Sequence, residues 1–265
     1  MLNIPNIYVM GDIHGNTIPV FNFYNKRKHL IKENDVLILL GDSGINYYLN
    51  GRDKKFKKEL SKYPFTYFVL RGNHDERPSI LAQNNPQDWT VEGFFGGMVL
   101  IEKAFPNIKY ALDCPTLYAI PNQQGGTYIT FTLPGAYSVD KYYRLMNGWA
   151  WFKEEQLTPE EMDDGMEILK SLNYKCDLIL SHTCPCMYEP TDLFLPSINQ
   201  STVDRTMEQY LGAIEYSTDY KAWLWGHFHA YRDYPRPDGR RRTMLFQHAI
   251  ELNQYMTEEV PQVYE

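Results

Sequence analysis

Five short apolar segments, each ended abruptly by a polar cluster, constrain the fold of this chain more than any other feature. Segments of this length and composition are typical of buried strands. Helical patterns separate the first three, at Thr17 to Ile31 and at Asp53 to Lys62. Strand alternating with helix predicts a parallel α/β sheet. The five predicted strands are Ile7 to Met10, Val36 to Leu40, Phe65 to Leu70, Leu178 to Leu180 and Ala222 to Trp225.

The polar clusters contain Asp, Asn and His next to Gly or Ser. In open α/β sheets, ligands bind at the carboxyl ends of the strands, where loops from separate strands converge. We therefore expect the five clusters to meet in one site. They are Gly11-Asp12-Ile13-His14-Gly15, Gly41-Asp42-Ser43-Gly44, Arg71-Gly72-Asn73-His74-Asp75, Ser181-His182-Thr183 and Gly226-His227-Phe228-His229.

The remaining segments predict a second set of strands and further helices. No internal repeat and no linker rich in Gly, Ser and Pro is present, so a single domain over residues 1–265, built on two sheets, is expected. The predicted elements are β-rich segments at Lys109 to Ile120 and Tyr128 to Leu133 with a hairpin turn at Asn122 to Gly126, helices at Thr158 to Leu172 and Ser201 to Ser217, and a turn at Arg236 to Arg240 before a strand at Thr243 to Ile250.

Composition excludes several classes of protein. With 43% hydrophobic residues among 265, the chain can bury a substantial core, which excludes wholesale disorder. The net charge of -7 disfavours a protein that holds nucleic acid by its own positive charge, and the run Arg240 to Arg242 is interpreted as a solvated face. Four Cys without a CxxC spacing indicate free thiols. Because no signal peptide or membrane-spanning stretch is visible, we expect a cytoplasmic protein that does not bind membranes.

The polar clusters carry the residue types of a metal site. If each strand continues extended, Asp12 and His14 point the same way, and His227 and His229 repeat that spacing. Seven candidate ligands are too many for one ion. With Asp42 bridging, they suit two ions roughly 3.5 to 4 Å apart, as in sites that hydrolyse phosphate esters and peptides. The mixed set suits borderline first-row metals and comprises Asp12, His14, Asp42, Asn73, His182, His227 and His229.

Together, the motifs GDIHG, GDSG, RGNHD, SHT and GHFH resemble the calcineurin-like metallophosphoesterase superfamily. The resemblance implies an α/β fold, a four-layer α/β/β/α sandwich with two mixed β-sheets packed face to face and helices outside. It also implies that His74 donates a proton to the leaving oxygen or binds the phosphate. The implied ligands are Asp12, His14, Asp42 and His229 for the first metal, and Asp42, Asn73, His182 and His227 for the second.

The sequence departs from one branch of that superfamily. Protein Ser/Thr phosphatases follow their bridging Asp with a second Asp and an Arg, as G-D-x-x-D-R-G, whereas Ile45 and Asn46 stand at those positions here. A bacterial-type phosphoesterase is therefore favoured over a protein phosphatase. Asp75 becomes the candidate to orient His74, and Arg71 or Arg144 the candidate to contact phosphate. The segment from Gly135 to Trp151, which includes Arg144, resembles one found in some bacterial members and is a candidate substrate wall.

The leading hypothesis is a metal-dependent phosphoric ester hydrolase, of class EC 3.1, acting on a small phosphorylated substrate. Attack by a metal-bound hydroxide on a phosphate mono- or diester, with His74 as general acid, is the implied reaction. Two divalent or trivalent metal ions are expected, with Mn favoured over Fe or Zn. A nuclease or nucleic-acid end-processing phosphatase with the same centre is an alternative that would need a basic groove. A non-catalytic scaffold would show eroded ligands, yet every ligand position is filled. The oligomeric state is left open.

Overall fold

The computed structural model describes residues 4–194, 196–234, 237–257 and 263–264. Within them, eight strands form one mixed sheet, in the spatial order β14-β13-β1-β2-β3-β6-β5-β4. These strands are β1 (Ile7–Met10), β2 (Asp35–Leu39), β3 (Phe65–Val69), β4 (Trp89–Phe94), β5 (Gly97–Glu102), β6 (Ile108–Ala111), β13 (Ala249–Glu251) and β14 (Val263–Tyr264).

A second mixed sheet has six strands among the described residues, in the order β11-β12-β10-β9-β8-β7. They are β7 (Thr116–Pro121), β8 (Thr127–Leu133), β9 (Leu178–Ser181), β10 (Ala222–Trp225), β11 (Arg232–Asp233) and β12 (Arg241–Met244). The helices are α1 (Ile18–Arg27), α2 (Gly51–Leu60), α3 (Pro78–Asn84), α4 (Lys141–Met146), α5 (Pro159–Ser171), α6 (Thr206–Ser217) and α7 (Leu252–Thr257). Short 3-10 turns occupy Pro86–Asp88, Cys186–Tyr188, Thr191–Leu193 and Gln200–Thr202.

Alternation of side chains along the strands produces the layers. In β1, Ile7 and Val9 pack in the apolar layer between the two sheets, together with residues of the second sheet such as Leu180. Tyr8 and Met10 point to the opposite face, where they pack under α1 and α2. A third cluster joins the second sheet to α5 and α6. The four-layer α/β/β/α prediction is therefore confirmed.

The five predicted strands agree with the structure to within one residue at either end, and β1, β2 and β3 are parallel. Two predicted β segments are wrong as single elements. Lys109 to Ile120 ends β6 in the first sheet and begins β7 in the second, and Thr243 to Ile250 is divided in the same way between β12 and β13. Both segments are apolar on either side of the crossing because both sheets are buried, so hydrophobicity alone does not show where the chain crosses between them.

Helix α6 begins at Thr206 and not at the predicted Ser201, because the Asp204 carboxylate accepts hydrogen bonds from the Thr206 backbone and hydroxyl. The arginine run also differs from its interpretation as a solvated face. Arg242 is 3% exposed and donates to Glu215 and Asp238. Of the predicted turn at Arg236 to Arg240, Arg236 lies outside the described residues.

The predicted hairpin between β7 and β8 is confirmed, with the Asn122 N–H donating to the Gly126 carbonyl. The helix predicted from Thr158 begins with a capping box, in which Thr158 and Glu161 exchange hydrogen bonds. In the described part of the chain, no helix is both long enough and apolar enough to cross a membrane.

Candidate metal centre

The polar clusters that follow β1, β2, β3, β9 and β10 meet at one edge of the sandwich, as predicted. Each sheet therefore contributes ligands. Backbone hydrogen bonds join the loops directly, with the His14 N–H donating to the Asp42 carbonyl at 2.8 Å and the Gly226 N–H donating to the His182 carbonyl at 2.9 Å. All seven predicted ligands lie in this cluster.

Asp12, His14 and His229 form the first group of potential ligands. The Nε2 atoms of His14 and His229 are 2.7 Å apart, and they lie 3.8 and 3.7 Å from Asp12 Oδ2. Two neutral imidazoles whose ring nitrogens approach this closely need either a shared proton or a cation between their lone pairs. The three donor atoms therefore fit a single ion.

Asp42, Asn73, His182 and His227 form the second group. His182 Nε2 and His227 Nδ1 lie 2.9 and 3.1 Å from Asn73 Oδ1, and His182 Nε2 lies 3.4 Å from Asp42 Oδ1. Because the Leu40 carbonyl can only accept, His182 Nδ1 donates its proton there at 2.7 Å, which directs Nε2 toward the group. Lone pairs of two rings, an amide and a carboxylate thus converge, as a cation site requires.

Asp42 lies between the two groups. A carboxylate oxygen of Asp42 lies within 4.8 Å of ring nitrogens of His14 and His74 on one side and of His182 and His227 on the other. This placement is the one expected for a bridging ligand, and the residues present fit a pair of cations.

The backbone of the ligands is not extended, contrary to the sequence argument for paired side chains. His14, Asp42, His227 and His229 all adopt positive φ, between 44° and 71°. Consequently His227 and His229 do not point the same way, and each joins a different group of ligands. Left-handed backbone at a non-Gly residue costs on the order of 1–3 kcal/mol, and such strain concentrates at functional sites.

Two glycines permit the close approach of backbone to ligand. A Cβ atom added to Gly72 would overlap Oδ1 of Asp42, and one added to Gly226 would overlap Oδ1 of Asp12. Glycine is therefore required at both positions, because a carboxylate lies in the space that a side chain would fill.

Burial dominates the electrostatics of the centre. It raises the pKa of Asp12 to about 8, with the nearby charge of Asp42 adding to the rise. Burial alone would also raise the pKa of Asp42, but the charges of His182 and His74 outweigh it and hold that pKa well below its usual range. Burial alone would lower the pKa of His182, yet Asp42 and Asp12 raise it to about 9. Metal ligands must be deprotonated, so bound cations would keep both carboxylates ionised.

His74 lies beside both ligand groups. Its backbone N–H donates to Asp42 Oδ1 at 2.8 Å, its Nε2 lies 3.9 Å from Asp42 Oδ2, and its ring stacks on that of Tyr47 with the centroids 6.0 Å apart. Burial lowers the pKa of His74, the charge of Asp42 opposing this. The ring forms part of the wall of a neighbouring cavity.

Asp75 and Arg71, the other two predicted catalytic residues, contact backbone. The Asp75 carboxylate accepts hydrogen bonds from the N–H groups of Ser43, Gly44 and Gly72, which joins the loops that follow β2 and β3. Burial raises the pKa of Asp75 to about 6. The buried Arg71 guanidinium donates to the Glu155 carbonyl at 2.7 Å. Both residues thus support the loops around the centre.

A network of buried groups fixes the orientation of the Asn73 amide. Asn73 Nδ2 donates to the Ser138 hydroxyl at 2.9 Å, which leaves Oδ1 facing His182 and His227. The same hydroxyl accepts from Arg144 at 3.2 Å and donates to Glu155 at 2.5 Å. The sequence analysis singled out the segment from Gly135 to Trp151 but missed the role of Ser138 and the contribution of Glu155.

A cavity of about 430 Å³ opens beside the centre. Besides ligands and His74, it is bounded by Tyr137 and Asp140, from the segment singled out in the sequence, and by residues between Glu189 and Glu208. The sequence analysis missed this second wall, because the 3-10 turns at residues 191–193 and 200–202 carry no periodic pattern. The sequence signal that could have found this wall is the position of Phe194, Asp204 and Glu208 in the segment that follows the predicted strand Leu178 to Leu180.

Asp, Asn and His side chains collected at the strand ends of two face-to-face sheets are the ligand types of binuclear metal sites that hydrolyse phosphate esters and peptides. The model of one family, the calcineurin-like phosphoesterases, matches residues 5–231. The chain belongs to this family, and the recognition made from the five motifs is confirmed. The difference from the protein Ser/Thr phosphatase branch remains, because the buried residues Ile45 and Asn46 replace that branch's Asp and Arg.

Three solved structures are similar to this chain at low sequence identity, and the first of them shares its fold. The protein TT1561 of Thermus thermophilus is 12% identical, with 98% of each chain covered and a TM-score of 0.54. The phosphopantetheinyl hydrolase from Mycobacterium tuberculosis is 14% identical, with 98% of this chain and 95% of that chain covered and a TM-score of 0.47. A dimetal phosphatase from Danio rerio is 10% identical, with 94% and 92% covered and a TM-score of 0.46. A search of the curated proteins finds no match.

Proposed function

We propose that this protein hydrolyses a phosphate mono- or diester of a small molecule and depends on two metal ions. The observation that carries the proposal is the convergence of two ligand groups on a shared carboxylate, Asp42, with His74 beside them. Two bound cations would lower the pKa of a water and neutralise charge on the phosphate. The ligands would be Asp12, His14, Asp42 and His229 for one ion and Asp42, Asn73, His182 and His227 for the other.

The protein's own residues would supply positioning and a proton. Asp42 anchors the backbone of His74, and Tyr47 restricts the orientation of its ring. The His74 ring lines the cavity, and we place the leaving oxygen of an ester bound at the centre beside its Nε2. From this position His74 would donate its proton as the ester bond breaks.

Manganese is the metal that we propose first, with iron or zinc as alternatives. A mixture of carboxylate, amide and imidazole ligands suits borderline first-row metals, and geometry together with availability selects among them. Imidazoles in both groups disfavour magnesium and calcium, which take oxygen ligands.

The cavity favours a small substrate over nucleic acid. Among the described residues that line it there is no Lys or Arg, whereas a nuclease or end-processing enzyme needs a basic surface along the phosphate backbone. A non-catalytic scaffold is also disfavoured, because all seven ligand side chains are present and converge.

The test is hydrolysis by metal-stripped protein reconstituted separately with Mn²⁺, Fe²⁺ and Zn²⁺. We expect turnover of p-nitrophenyl phosphate or its bis-ester that disappears on chelation and returns with metal, and little cleavage of single- or double-stranded oligonucleotides. Asp42→Asn should abolish turnover, whereas His29→Gln, at an exposed site on the loop after α1, should not change it. Absence of ester hydrolysis at full metal occupancy would contradict the proposal.

A further inference from the structure

The cavity beside the centre has a wall that neither metal binding nor His74 explains. Part of this wall is apolar. The rings of Phe194 and Phe228 stack with their centroids 6.3 Å apart and an interplanar angle of 23°, and Tyr137 and Val139 line another part. An apolar surface of this kind binds the body of an organic group by removing it from water.

Another part of the wall is acidic. Besides the proposed metal ligand Asp42, four carboxylates line the cavity: Asp140, Glu189, Asp204 and Glu208. No cationic side chain lines it within the part of the chain that the structure describes. Glu208 is buried and accepts a hydrogen bond from the Thr183 hydroxyl at 2.7 Å.

Cations lie near these carboxylates without lining the cavity. Arg205 Nε is 3.5 Å from Glu189 and Arg144 is 3.9 Å from Asp140, while the charge of Lys141 acts on Asp204. These cations reduce the net charge of the wall. A group inside the cavity nevertheless meets carboxylate oxygens first, and these oxygens accept hydrogen bonds from N–H and O–H donors.

The two ends of the cavity suit groups of opposite charge. At one end are the metal ligands and His74, which suit the phosphoryl group, and the leaving alcohol would extend from there between the apolar and acidic walls. A second anionic group on that alcohol would meet carboxylates with no cation facing it. An amine would meet acceptors.

We propose that this enzyme acts on phosphate esters whose leaving alcohol has an apolar body and a cationic, N–H-donating nitrogen, and that it rejects leaving alcohols with a second anionic group. The proposal rests on the proposed function, since it assigns the cavity to the leaving alcohol of that reaction. One charge at about 7 Å, with an effective dielectric constant near 40, changes binding by about tenfold.

The test uses the Mn²⁺-loaded enzyme and three phenyl phosphates with aminomethyl, ethyl or carboxymethyl groups in the para position. We expect kcat/KM to fall in that order, with the aminomethyl ester at least tenfold above the carboxymethyl ester. Metal-dependent hydrolysis of all three with equal kcat/KM would overturn the cavity assignment and leave the phosphoesterase function intact. If the enzyme hydrolyses none of the three esters and does not hydrolyse p-nitrophenyl phosphate either, the result would count against the phosphoesterase function itself.

Variants separate the effect of the cavity on kcat/KM from the intrinsic reactivity of the three esters. That reactivity does not depend on which variant is assayed. In assays at pH 8, above the pKa of about 7 to which burial raises Glu208, Asp204→Asn and Glu208→Gln each remove one carboxylate charge and keep an acceptor for Thr206 or Thr183. Each variant should lower the ratio of kcat/KM for the aminomethyl ester to kcat/KM for the carboxymethyl ester by roughly threefold. Asp164→Asn, an equal charge change on the exposed face of α5, should leave the ratio unchanged. An unchanged ratio in both cavity variants would overturn the proposal.

Discussion

The side chain of His74 lines the cavity beside the proposed metal ligands without being one of them, so its removal should affect proton transfer more than metal binding. We expect His74→Ala to lower kcat on alkyl phosphates by roughly 100- to 10,000-fold, the usual contribution of a general acid. The loss should be smaller for p-nitrophenyl phosphate, because its leaving group needs little protonation. Steady-state kinetics and metal analysis check this, and wild-type rates with both kinds of leaving group would refute the assigned role.

Glu208 gives the protein a pH-dependent stability. Burial raises the pKa of Glu208 from 4.5 to about 7 in the folded state. Above pH 4.5 the unfolded chain releases a proton that the folded chain retains, so this residue's contribution to stability falls as the pH rises toward 7. This rise in the pKa of Glu208 corresponds to a loss of about 3 kcal/mol in the free energy of unfolding. Urea unfolding of the wild type and of Glu208→Gln at pH 4.5 and pH 8 measures it, and parallel changes in the two proteins would contradict the prediction.

Among structural elements, the segment from Gly135 to Trp151 supports the metal centre through the hydrogen bond between Ser138 and Asn73. Ser138→Ala would release the Asn73 amide and leave the Glu155 carboxylate without a hydroxyl donor in a buried site. Loss of such an indirect partner typically lowers metal affinity by 10- to 100-fold. Titration calorimetry with Mn²⁺ on the metal-free protein should show this decrease.

The matched control for Ser138→Ala is Ser171→Ala at the end of α5, where an exposed hydroxyl donates to the Ile168 carbonyl. This control should bind metal as the wild type does. If Ser138→Ala lowers the melting temperature but keeps wild-type metal affinity, then the hydroxyl stabilises the segment without orienting Asn73.

Prediction from sequence succeeded for elements whose signal is local. Each ligand motif directly follows an apolar strand, so both the strand ends and the ligands could be located. The family resemblance placed His227 and His229 in different ligand sets, but the alternation of an extended strand could not, because both residues have a left-handed backbone. The cavity wall after β9 was missed because short 3-10 turns leave no repeating pattern.

For the whole molecule, metal binding should contribute measurably to stability, since the ligands come from both sheets. We expect Mn²⁺ at one hundred times its dissociation constant to stabilise the folded protein by about 2.7 kcal/mol per site. Thermal unfolding of the stripped and reloaded protein measures this. Asp42→Asn should lose most of the shift, because Asp42 lies between the two ligand groups and is the proposed bridging ligand, whereas His29→Gln should retain it. An equal shift in Asp42→Asn would exclude a bridging role.

At the same scale, the four layers could be predicted from the family resemblance, but the two crossings between sheets could not. The chain leaves the first sheet after Ala111 and returns to it at Ala249, within segments that are apolar on both sides of the crossing. Only packing between the sheets distinguishes the two halves of each segment. The single-domain organisation expected from the order of the motifs stays a prediction.

The distance along the chain between ligands has a consequence for biosynthesis. His14 and His229 belong to one group of potential ligands although 215 residues separate them. A partly synthesised chain that holds β1 to β3 but lacks β10 therefore has only part of either ligand set. We consequently expect stable acquisition of metal to be a late event in the maturation of this protein, after the second sheet has packed onto the first.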